Sequence, residues 1–134
     1  MPATPTEQPR PTDATGFLAT YEDLVGFVPP RVAARFAGRG HDNPVLIAQE
    51  QMRNLVMYPE CLDQKTVQLV LFGILHSKLS DAAVLHGLAA RRAGASDEEL
   101  RAVIDLAFLF SGMSAANRGP ALLADIDALE SKNR

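Results

Sequence analysis

The chain has 134 residues, 47% of them hydrophobic, with 16 acidic against 13 basic side chains and a net charge of −3. That length suits a single domain, that apolar fraction suits a globular core, and the acidic balance leaves no basic footprint for nucleic acid. A lone cysteine, Cys61, rules out an intrachain disulfide, and no apolar run approaches membrane-spanning length. The expected compartment is the cytoplasm: one thiol fits a reducing environment, and the first residues lack the basic start and apolar run of a secretory leader.

There is no tryptophan, there are two tyrosines, and no stretch alternates apolar with polar residues. An all-α fold is predicted. Residues 1–15 hold four of the nine prolines and four threonines. They cannot bury apolar surface and are expected to form a disordered tail or an arm lying on a partner. Residues 16–134 would then form one helical domain.

Gly16 to Phe27 reads as a short amphipathic helix with Phe17, Tyr21 and Leu24/Val25 on one side. Pro29-Pro30 stop it, and Pro30 suits the first position of the next helix, Pro30 to Ala37. Gly38-Arg39-Gly40 ends that one. Asn43 is an N-cap candidate, with Pro44 opening a helix that runs to about Met57. Val45, Ala48, Met52 and Leu55/Val56 form its apolar stripe and are expected to face inward.

Asp63 caps the following helix, Lys65 to His76. It is apolar nearly all round and is expected to be buried on every side. The next helix begins near Ser80 and runs to Arg92 or Ala93. Its inward stripe is Ala82, Ala83, His86, Ala89, Ala90 and Ala93, closed by Gly94 as C-cap glycine. Ser96 and Glu99 make a capping box for a helix with Leu100, Val103, Ile104, Ala107 and Phe108 on one face. Ser111-Gly112 is expected to break it, and Ser114 to Gly119 to add a further turn. A last helix is expected over Pro120 to Leu129, with Leu122, Ile126 and Leu129 inward. The total is six or seven helices.

His86 is the only large polar group on its alanine stripe. An imidazole gives and takes a proton near neutral pH, so His86 is a candidate acid/base; the alternative is a buried histidine bonded to a backbone carbonyl. Gln68 sits in the apolar helix, where an amide must find hydrogen bonds. It would orient His86, hold a substrate carbonyl, or tie two helices together. His76 lies eight residues past Gln68, offset by about 80° around the axis; it faces the same cavity or caps the helix C-terminus. Ser80 is a natural N-cap, and Asp81 complements the helix dipole or acts as an acid/base. His41, His76 and His86 lack metal-ligand spacing, so no metal is expected.

The segment LDQKTVQLVLFGIL, then His86, then ARRAGASDEEL, then SGMSAANRG, resembles the carboxymuconolactone decarboxylase family, the AhpD-like group of all-α proteins. The likeness covers roughly residues 62 to 120 and rests on the ordered series rather than on any tripeptide. It implies an AhpD-like helical bundle that self-associates as a trimer or hexamer, with sites near subunit contacts. Peroxidase members of the family carry a Cys-x-x-Cys pair ahead of the histidine, where this chain has Leu79 and Ala82. They also use a glutamate at the position of Gln68. Without a thiol to attack peroxide and another to resolve it, a thiol peroxidase is not expected.

Similarity to the cysteine-free decarboxylase branch implies a cofactor-independent acid/base lyase with His86 as the proton-transfer residue. Gln68, His76 and Asp81 are its candidate helpers. The substrate would be a small anionic or cyclic compound, such as a carboxylated lactone, in aromatic catabolism or a biosynthetic route. An anion invites an arginine; Arg53, Arg91, Arg92 and Arg118 are candidates, with Arg118 and Ser80 taken as the substrate-binding pair. The acidic residues that branch places before its histidine are missing here. Isomerisation, dehydration or cyclisation on the same fold, or a non-catalytic oligomeric binding protein, are therefore the alternatives. No nucleic acid or membrane partner is expected.

Overall fold

Local signals set the ends of most helices in the computed structural model, which describes residues 9–133. Six helices follow in order: α1 Ala14–Val25, α2 Pro30–Arg39, α3 Pro44–Met57, α4 Gln64–Ser77, α5 Ala83–Arg92 and α6 Asp97–Lys132. No strand occurs among the described residues. The Asn43 side chain accepts from the amides of Val45 and Leu46, and Asp63 accepts from Thr66. Ser96 and Glu99 form both halves of the capping box. Gly26 closes α1 at φ +87°, a conformation that costs glycine nothing. Residues 1–8 of the expected tail lie outside the described residues, and Ala14 and Thr15 already belong to α1.

Two small cores result. Phe17 and Tyr21 of α1 meet Phe36 of α2 and Leu46 of α3. Ala90 of α5 meets Ala95 and Leu100, with Leu69 and Phe72 of α4 packed against them. Helix α4 packs on both α5 and α6, and α1 lies on α5. Small residues bring these axes together: a Cβ added at Gly87 would meet the Phe72 ring at 3.4 Å, and one at Gly73 would meet Val103 at 3.0 Å. Arg92 ties the two halves, its Nε donating to the Leu24 carbonyl at 3.1 Å.

Four expectations are corrected. The stripe of α3 that faces the chain's own core is Leu46, Glu50, Asn54 and Met57; Val45, Ala48, Met52, Leu55 and Val56 are exposed. The polar Glu50 and Asn54 lie inside because they find partners there. Helix α4 is not enclosed: Val70 and Ile74 are exposed. The second central helix begins at Ala83 rather than Ser80, because residues 81–82 form a turn. Ser80 instead accepts from the Ala82 amide through its hydroxyl at 3.3 Å.

Ser111-Gly112 does not break α6, which runs unbroken for 36 residues with Pro120 inside it. Glycine costs only about 1 kcal/mol in a helix interior, and the surrounding alanines and leucines favour the helix. From Phe108 to Asn133 every residue except Gly119 is exposed.

Candidate functional site

Helices α1 to α5 and the α4–α5 turn line a cavity of about 710 Å³. Its polar lining is Tyr21 from α1, Arg31 from α2, Arg53 from α3, Gln68 from α4, Asp81 from the α4–α5 turn and His86 from α5. The rest is apolar, with Leu71, Leu75 and Leu85 among the wall residues. A second groove of about 570 Å³ runs between α4 and α6 but has no titratable side chain in its lining. The titratable side chains line the first.

A chain of amides fixes the histidine. The Met57 carbonyl can only accept, so the Gln64 side-chain nitrogen donates to it at 2.8 Å. That leaves Gln64 Oε1 to accept from Gln68 Nε2 at 3.4 Å. Gln68 Oε1 then faces His86 Nδ1 at 2.8 Å and must accept from it. The proton of a neutral His86 is therefore on Nδ1, and Nε2 keeps its lone pair. Gln68 is fully buried, so this polarity is not exchanged with water. Burial pushes the His86 pKa below its ordinary 6.5, and the Arg53 charge pushes it further the same way. At neutral pH the imidazole is uncharged.

A second network joins Tyr21 to α2 and α3. Glu50 is 1% exposed. It accepts from the Tyr21 hydroxyl at 2.7 Å and pairs with Arg35, tying α1, α2 and α3 together. Its second oxygen has no partner among the described residues. Burial, and then the bond to Glu50, push the Tyr21 phenol up to about 12 against the opposing pull of Arg53, so it stays protonated. Arg53 lies over the Tyr21 ring at 3.9 Å and donates to Thr20 Oγ1 at 3.1 Å.

The structure thus brings His86, Gln68 and Asp81 to one cavity. Ser80 sits beside it with its hydroxyl engaged by the Ala82 amide. His76 does not line the cavity; its ring stacks on Phe72 with centroids 6.3 Å apart. Arg118 is on the exposed distal part of α6, away from the cavity, and Arg91 pairs with Asp97 at 2.6 Å. Among the four candidate arginines the cavity takes Arg53. Tyr21 and Arg31 were not singled out as site residues. Their only signals were membership of the α1 apolar face and a position beside the Pro29-Pro30 stop.

The carboxymuconolactone decarboxylase family model matches residues 44–125. That span holds Arg53, Gln68, Asp81 and His86, while Tyr21 and Arg31 lie before it. No curated protein and no solved structure gives a significant match.

Proposed function

The chain belongs to the carboxymuconolactone decarboxylase family, and from that membership we propose that it is a cofactor-independent acid/base lyase acting on a small carboxylated lactone or enolisable cyclic compound. The observation that carries this reading is the amide chain that fixes His86 in one tautomer inside the cavity. Gln68 positions the imidazole and does not itself titrate. In the forward step the bond from the substrate carbon to its departing carboxylate breaks. The electron pair moves into the conjugated carbonyl, carbon dioxide leaves, and the carbon takes a proton from His86 Nε2. Solvent supplies the proton that Nε2 takes up before the step. The cavity lining carries two guanidinium groups against one carboxylate, which favours an anionic substrate.

The test is carbon dioxide release across a panel of carboxylated lactones that includes γ-carboxymuconolactone, with His86→Ala alongside. General acid–base catalysis is worth roughly 10²- to 10⁴-fold, and a loss of that size is expected in the variant. Turnover at the wild-type rate in His86→Ala, or none on any member of the panel, overturns the lyase reading. The bare Nε2 at neutral pH favours a second reading, proton abstraction in an isomerisation on the same site. Solvent deuterium entering a substrate without loss of carbon dioxide would select it.

The proposed working form is a trimer or hexamer. The exposed apolar stripe of α3 and the exposed leucines and phenylalanines of distal α6 support self-association.

A further inference from the structure

Arg53 is held but not neutralised. Its Nη1 donates to Thr20, its guanidinium stacks on Tyr21, and no carboxylate lies within ion-pairing distance of it among the described residues. Glu50, which shares the neighbourhood, is taken by Arg35 and Tyr21. A guanidinium has five donors in a planar fork that matches a carboxylate bidentately, and Thr20 uses one of them. The same cavity is also lined by Leu71, Leu75 and Leu85, which offer no hydrogen-bonding side chain. The volume of about 710 Å³ falls in the range of sites that enclose drug-sized ligands.

We propose that Arg53 is the carboxylate-recognition residue of this cavity, and that it selects an amphipathic ligand with one carboxylate on the guanidinium and an apolar body along the leucine wall. The inference rests on the cavity being the substrate site and adds what the substrate must carry. It also couples binding to the proton chemistry. Arg53 is one of the two influences that hold the His86 proton affinity down. A carboxylate on Arg53 cancels that charge, so the imidazole accepts a proton more readily once ligand is bound. By linkage the acid binds more tightly as the pH falls through the His86 transition. The other groups facing the cavity are Tyr21 from α1, Arg31 from α2 and Asp81 from the α4–α5 turn; α4 contributes the uncharged Gln68.

The test compares 2-naphthoate with 2-naphthamide by titration calorimetry on the full chain, with NMR titration of His86 in parallel. Wild type is expected to bind the acid at least about tenfold more tightly than the amide, the margin of one charge-assisted bidentate contact. Arg53→Met is expected to bind both probes as wild type binds the amide, which also reports that the variant is folded. Arg53→Lys is expected to keep part of the preference. The His86 pKa is expected to rise when wild type binds the acid, and to start higher and stay put in Arg53→Met. Equal affinity for the two probes in wild type, or an unchanged preference in Arg53→Met, overturns the proposal. Neither readout needs turnover, so an inert protein with an intact preference would overturn the lyase reading alone.

Discussion

At the scale of single residues, the side-chain amide of Gln68 decides what His86 can do. Its oxygen faces Nδ1 because its nitrogen is committed to Gln64, which is committed to the Met57 carbonyl. Gln68→Glu would place a negative charge against the Nδ1 proton and favour the imidazolium. The His86 pKa is expected to rise above the wild-type value, read by NMR. Gln68→Leu removes the acceptor, and the nitrogen shifts of the ring are expected to show both neutral tautomers. The depressed His86 pKa also has a sign for stability. The unfolded chain takes up this proton first, near pH 6.5. The fold is therefore undisturbed by His86 above that pH and loses stability as the pH falls below it. Urea midpoints at about pH 7.5 and about pH 5.5 should differ less in His86→Gln than in wild type. His86 and Gln68 were legible in the sequence because a polar residue inside an apolar helix needs a partner. The choice of Arg53 over Arg118 was not, since an arginine in a sequence carries no mark of which cavity it lines.

At the scale of elements, most caps were legible and the faces only in part: Phe17, Tyr21 and Val25 of α1 lie inside as expected, whereas the stripe of α3 does not. Asn43, Asp63 and the Ser96–Glu99 box act within a few residues of themselves, so their effect needs no tertiary knowledge. Helix α3 is amphipathic in the sense its spacing predicts, yet the apolar stripe points away from the chain's own core. A period says that two faces differ; it does not say which one meets which neighbour. The turn between α4 and α5 holds Leu79 at φ +54°, the left-handed region that disfavours a branched side chain. Leu79 is 85% exposed, so no packing offsets that strain. Leu79→Gly is expected to stabilise the fold by roughly 0.5–1 kcal/mol, measured as a rise in the urea midpoint. At Gly73→Ala the added Cβ would press on Val103 Cγ1 at 3.0 Å, and that crowding is expected to cancel the gain of about 1 kcal/mol that alanine brings to a helix, leaving the urea midpoint close to wild type.

At the scale of the whole molecule, one chain leaves much apolar surface in water. Phe108 is 80% exposed, and Leu122, Leu123, Ile126 and Leu129 are exposed on the distal part of α6, beyond the stretch that packs on α4. Helical stability in proteins comes mostly from packing an apolar face, and the proposed self-association would supply that packing here. The paired substitutions Leu122→Gln and Ile126→Gln are expected to lower the mass read by light scattering towards that of one chain, 14.5 kDa. An unchanged mass would put the interface elsewhere. No helix among the described residues is long and apolar enough to cross a membrane.

The all-helical class, the caps and the family were determined by the sequence alone, because each is written in short-range spacing and in residues that act on their near neighbours. The cavity was decided only by the tertiary structure. Its polar groups come from five helices and a turn spread from Tyr21 to His86, and nothing local links Arg53 to an imidazole thirty-three positions further on. The same holds for α6, whose continuity past Ser111-Gly112 and Pro120 sets local costs of about 1 kcal/mol for the glycine and about 3 kcal/mol for the proline against the gain of an unbroken helix.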